Sequence, residues 1–178
     1  MNRLFIPSLA LALAALIAPA AQARGNHGRQ VRAGLDGFEE VPAVSTQGQG
    51  AFRATLSGDG QELTYELLYA DLEGEVAQAH LHLGQRGANG GISIFLCTNL
   101  DNGPEGTQAC PPSPATISGT VSADDVIGPE AQGISAGEWD EVVRAIRDGS
   151  VYVNVHSDLF PGGEVRGQLR ADQRRDRP

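Results

Sequence analysis

The chain contains no lysine, so arginine carries all 13 basic charges, and 22 aspartates and glutamates outnumber them. A formal net charge of −9 gives a nucleic acid or an anionic membrane little electrostatic reason to bind. Cysteine is almost as scarce, with Cys97 and Cys110 alone. Neither belongs to a Cys-x-x-Cys element, which argues against a thiolate metal site. Serine-nucleophile chemistry is not supported either: Gly133-Ile134-Ser135-Ala136-Gly137 has the spacing of a nucleophile elbow, but Ser135 belongs to a helix-capping pattern and no strand leads into it. Phosphate-loop and dinucleotide fingerprints are missing too, because the glycines of Gly84 to Gly91 do not stand between a strand and a helix start. Glu39 and Glu40 are adjacent and on a strand would face opposite ways, so no glycosidase pair can be assigned.

Long apolar runs are lacking as well. The longest, Leu9 to Ala18, is too short to span a bilayer and is closed by Pro19. Arg3 before it and Ala21-Gln22-Ala23 after it complete the pattern of an export signal. The expected organisation is therefore a signal peptide over 1–23 and a short extension over 24–29. One domain over 30–170 and a frayed, charged tail over 171–178 follow. Export places the protein in the periplasm or outside the cell, where Cys97 and Cys110 are expected to pair.

The remaining chain of about 155 residues suits a single core. From Gln30 onward it reads as short runs of alternating hydrophobicity broken by glycine-rich turns, the pattern of antiparallel strands. Strands are expected at Val31 to Leu35, Gly50 to Ser57, Leu63 to Tyr69, Val76 to Leu83 and Ile92 to Cys97. Further strands are expected at Ala115 to Val121, Val151 to Val155 and Glu164 to Leu169. One helix interrupts them. Ser135 and Glu138 form a Ser-x-x-Glu capping pattern, Trp139, Val142, Val143 and Ile146 share a face, and Gly149 supplies the stop. The expected fold is an all-β, Greek-key antiparallel β-sandwich, immunoglobulin-like or superoxide-dismutase-like, with one inserted short helix.

Three of the four histidines have an informative phase. Ala79 and Leu81 point to the core, so His80 and His82 share the opposite face, with Cα atoms about 6 to 7 Å apart. Val151, Val153 and Val155 likewise face inward and leave Tyr152, Asn154 and His156 on the other face of their hairpin, where His156 would complete the set if the hairpin lies beside His80 and His82. Three imidazoles without a thiolate suit copper or zinc, and Asn154, Glu164 and Arg166 are the candidates to orient the rings. The competing reading is a purely structural polar cluster of the same residues with Glu40. His27 is a weaker terminal candidate for copper.

Three blocks carry a family resemblance. They are Leu35-Asp36-Gly37-Phe38-Glu39-Glu40-Val41-Pro42, then Ala79-His80-Leu81-His82 with Gly84, Gly87 and Gly90, and a closing block. The last runs Gly149-Ser150-Val151-Tyr152-Val153-Asn154-Val155-His156-Ser157 and resumes at Pro161-Gly162-Gly163-Glu164-Val165-Arg166-Gly167-Gln168-Leu169. Together they resemble the CHRD domain, a module first described in chordin and found in exported microbial proteins, from about Val31 to Leu169. Ala43 and Ser157 depart from the residues common there. The resemblance implies a β-sandwich and no assigned biochemical activity. The expected function is a non-enzymatic binding or structural module for an unidentified extracytoplasmic ligand or protein, with no membrane span after signal removal. The alternative is a copper- or zinc-binding protein with redox chemistry. A more distant likeness to copper-zinc superoxide dismutases rests on His80, His82 and His156, but their zinc-bridging histidine has no counterpart here.

Mass spectrometry of protein recovered outside the cytoplasm is expected to give Arg24 as its first residue. Recovery with Met1 retained would remove the export signal.

Overall fold

The structure is a computed structural model that describes residues 29–172. The export signal, Arg24, His27 and most of the tail lie outside the described residues. Within them the chain forms nine strands and one helix. The first three strands are β1 (Gln30–Asp36), β2 (Gln49–Leu56) and β3 (Leu63–Ala70). They pair in sequence order, with Arg32 opposite Arg53 and Arg53 opposite Glu66. Their alternation is clean: Phe52, Ala54, Leu56, Leu63, Tyr65, Leu67 and Tyr69 are buried, while Arg53, Thr55, Thr64 and Glu66 face solvent.

Strands β4 (Val76–Leu83), β5 (Ile92–Thr98) and β6 (Ala115–Val121) follow. Helix α1 (Trp139–Asp148) and strands β7 (Val151–Ser157), β8 (Val165–Gln168) and β9 (Arg170–Ala171) complete the chain. All pairings are antiparallel. The expectation of an all-β antiparallel fold with one short helix holds. Its detail differs, because the strands form one continuous path, β5-β4-β7-β8-β1-β2-β3-β6, with β9 beside β1, in place of two separate sheets.

The two ends of that path, β5 and β6, approach each other without pairing. The side chain of Gln108 bridges them, donating to Leu96 O on β5 and Ser118 O on β6, and Tyr65 also donates its hydroxyl to Leu96 O. Cys97 and Cys110 form the expected disulfide, 13 residues apart, at the base of this excursion. Asn99 reinforces it, donating to Cys110 O and accepting from Cys110 N–H.

The helix begins later than its capping pattern suggests. Glu138 accepts the Ser135 N–H, but Ser135 to Glu138 is a turn in which Glu138 N–H donates to Ser135 O. Gly137 sits at φ 82°, a left-handed conformation that the first turn of a helix does not contain, so the helix starts at Trp139. Trp139, Val142, Val143 and Ile146 are buried as expected, and the indole N–H donates to Gly60 O.

Replacing both cysteines by serine removes a closed loop from the unfolded chain and is expected to lower stability by about 3 kcal/mol in urea unfolding. An unchanged midpoint would mean that Gln108 and Asn99 hold the seam unaided.

Candidate metal centre

On the β4, β7 and β8 side of the barrel the clean alternation fails. Ala79, Leu81, Val151, Val153, Val155 and Val165 fill the core, yet the residues between them are buried as well. His80 is 0% exposed, and His82 and His156 are each 6% exposed. The outward, polar face expected from strand phase therefore exists, but it is sealed beneath loops.

Register explains which side chains meet. His80 lies opposite Asn154, His82 opposite Tyr152, and Gln78 opposite His156. This makes His156 the diagonal neighbour of His80. Asn154 in turn faces Arg166, and Tyr152 faces Gln168. One ligand nitrogen from each of His80, His82 and His156 can be chosen so that all lie within 4.8 Å of one another. The pairing of β4 with β7 thus brings His156 to the face that His80 and His82 share.

The cover is the glycine-rich segment 84–91. Arg166 holds it, donating to Asn89 Oδ1, Gln85 O and Ala88 O, while its guanidinium lies 3.4 Å from the centre of the Tyr152 ring. Gln168 adds a bond to Gly84 O. His82 stacks on Tyr152 with ring centres 4.7 Å apart. Gly90 permits the closure, since a Cβ there would stand 1.6 Å from Leu83 O. Phe95 on β5 packs edge-on to His80 at 4.4 Å.

Hydrogen bonding fixes the ring tautomers. His82 Nδ1 is 3.0 Å from Gly90 O, and His156 Nδ1 is 3.0 Å from Pro161 O. A carbonyl only accepts, so each Nδ1 carries the proton and each Nε2 presents a lone pair. His80 Nδ1 lies 3.1 Å from His156 Nε2 and must donate to it, which leaves His80 Nε2 as a lone pair too. His80 Nε2 and His82 Nε2 are buried and have no hydrogen-bond partner.

All three rings are held neutral. Burial, then the neighbouring His156 and His82, pulls His80 down from 6.5 to about 2. Burial pulls His82 down to about 4 and also lowers His156. Neutral imidazole is the form that binds a metal.

The residues expected to orient the rings are placed differently from one another. Asn154 is in the polar layer, where its Nδ2 donates to Glu40 Oε1. Arg166 acts on the cover. Glu164, fully buried, makes its bonds elsewhere, accepting from Thr46 Oγ1, the Glu73 and Gly74 N–H groups and Ser157 Oγ. It ties two loops to the end of β7. The groups that do orient the rings of His82 and His156 are the backbone carbonyls of Gly90 and Pro161. No sequence signal marks these, because every residue carries a carbonyl. Glu40 is a buried member of the layer, and burial pushes its carboxyl up to about 7.

Acid is expected to destabilise the metal-free protein. The unfolded histidines take up protons near 6.5 whereas the folded ones do not, so stability is full above that pH. It is lost on acidification until His82 protonates near 4 and His80 near 2. Glu40 acts in the opposite sense, since its contribution is present below 4.5 and lost as pH rises through about 7. Three groups outweigh one, so urea unfolding at pH 5 should give at least about 2 kcal/mol less stability than at pH 7.5. Glu40→Gln should steepen the loss. Flat stability across this range would contradict the buried, neutral assignment.

A family model described as the CHRD domain matches residues 31–169. Neither the curated proteins nor the solved structures contain a match to the chain.

Proposed function

The chain belongs to the CHRD domain family, and from that premise we propose that it is a binding module whose three histidines hold a single copper or zinc ion. The observation that carries this reading is the pair of buried, partnerless lone pairs on His80 Nε2 and His82 Nε2, in rings clustered with that of His156. A buried polar nitrogen without a donor costs about 1–3 kcal/mol. An ion would accept these lone pairs directly.

The donor set suits those metals. Three neutral imidazoles without thiolate or carboxylate favour Zn²⁺ or Cu²⁺ over Ca²⁺ or Mg²⁺. His82 and His156 each donate the other ring nitrogen to a carbonyl, the arrangement that sets the tautomer and ring direction of histidine ligands. The 3.1 Å between His80 Nδ1 and His156 Nε2 is also close to the separation of two nitrogens bound about 2.0–2.1 Å from one ion. Binding through His80 Nδ1, the alternative to Nε2, would move the proton that now bridges the pair to Nε2, so that the ring stays neutral.

Burial favours holding the ion over turning over a substrate. With the trio at most 6% exposed, a ligand larger than the ion has no approach without movement of the 84–91 cover. A non-enzymatic role, structural or as a carrier, follows from that enclosure.

Elemental analysis of the untagged protein should find near-stoichiometric copper or zinc. Adding either ion to chelator-treated protein should raise its melting temperature by several degrees. His82→Ala should abolish both effects. Retention of metal by the His80→Ala, His82→Ala and His156→Ala variants alike would overturn the site. Absence of metal, with no thermal shift on titration, would leave the histidines as a structural network.

A further inference from the structure

Among the described residues, the acidic chain carries a row of exposed basic side chains on its surface. Strands β9, β1 and β2 place Arg170 opposite Arg32 and Arg32 opposite Arg53. These are the exposed arginines of the described strands, and all three stand in one cross-strand row. Like charges directly opposite each other on a sheet are destabilising, and here two such pairs are consecutive. Their mutual repulsion is only partly relieved. Asp172 pairs with Arg32 at 3.0 Å, whereas Arg53 and Arg170 have no ion pair among the described residues, although Glu66 lies opposite Arg53.

Two shallow grooves flank the row and share Arg32 and Arg53. One is lined by the polar side chains of Gln30, Thr55, Thr64 and Ser118 and also by the carboxylates of Glu66 and Asp172, which a polyanion must displace or avoid. The other adds Arg170 and Arg86, the latter paired with Glu39. We propose that this row is a binding surface for an acidic polysaccharide, with Arg53 and Arg170 each taking a carboxylate or sulfate group and Arg32 exchanging Asp172 for a third.

Spacing and lining choose this class of partner. Adjacent strands are about 4.7–4.9 Å apart, so the guanidinium stems repeat at that interval across the sheet. An extended peptide presents successive side chains on one face only about every 6.6–6.8 Å. One acidic group per sugar gives a repeat shorter than that. A hydroxyl- and amide-lined groove suits a polyhydroxylated chain better than apolar peptide side chains, which need pockets. The proposal is independent of the metal reading, and either can fail alone.

The test uses the purified whole protein with labelled dextran sulfate, polygalacturonate, neutral dextran and duplex DNA, at several salt concentrations. Dextran sulfate, polygalacturonate or both should bind, and which does so identifies the group recognised. Neutral dextran should not bind. Arg53→Gln with Arg170→Gln should weaken binding at least about tenfold and flatten its dependence on salt. Glu66→Gln should tighten it. Arg144→Gln with Arg147→Gln, which removes the same charge from the helix, should leave it unchanged. Equal losses in the two double variants would reduce the effect to net charge and overturn the site. So would failure to bind either acidic polymer, or tighter binding of DNA. Far-UV circular dichroism checks that each variant is folded, and the surface exposure of all the substituted residues favours that.

Discussion

Arg166 brings a guanidinium into a position that is 1% exposed and finds no carboxylate within ion-pair distance there. Its donors go instead to two carbonyls and an amide oxygen of the 84–91 segment, and its charge lies over the Tyr152 ring. A charge this far from water is tolerable only when its hydrogen bonds are satisfied. The glycine-rich segment is therefore held to one conformation by the need to solvate Arg166. Closure of that segment brings Gly90 O to His82 and buries the imidazoles. The neutrality of the histidines, and the lone pairs they present, are consequences of this arrangement.

The barrel consequently has two unlike halves. Across β1, β2 and β3 one face packs and the other meets water, so hydrophobic burial alone accounts for the strands. Across β4, β7 and β8 both faces are dry, and the outer layer must be closed by hydrogen bonds among His80, His82, Asn154, His156, Arg166 and Gln168. Glu164 performs the corresponding task at the end of β7, where four donors converge on one buried carboxylate. A partly satisfied polar layer costs more than an apolar one of the same shape. The atoms that remain unsatisfied in this layer are therefore informative about what else the layer accommodates.

Much of this was legible in the sequence, and the omissions have physical causes. Period-two alternation located the eight longer strands to within a residue or two, because a strand packed on one face must alternate. The same rule placed His80 and His82 on a common face and turned His156 outward on its own strand, but the pairing of β7 with β4 that unites them is distant in sequence. That rule could not reveal that the face is buried, since alternation distinguishes two sides without saying what covers either. Gly90 serves a close backbone approach that no side chain would allow, and nothing in the run of glycines over 84–91 singles it out. Two-residue β9 gives no periodic signal, and the continuous sheet in place of a two-sheet sandwich depends on pairings distant in sequence. Glu164 shares the phase of Arg166 in the sequence but bonds to other loops, because the regular β7–β8 ladder ends at Val155 and Val165.

The distribution of unpaired groups is the observation on which the metal proposal rests. In a closed network each imidazole donates one bond and accepts one, and the chain His80 Nδ1–H to His156 Nε2, then His156 Nδ1–H to Pro161 O, satisfies that rule for His156 alone. His80 and His82 each donate and accept nothing. Protonating them would not help, since burial holds both far below neutrality. Acceptors without donors are what a cation would satisfy. The same electrostatic reasoning applied to the opposite sign explains why the arginine row on β9, β1 and β2 reads as a site for anions: each feature is an excess of one kind of group at a place where the chain supplies too few of the other.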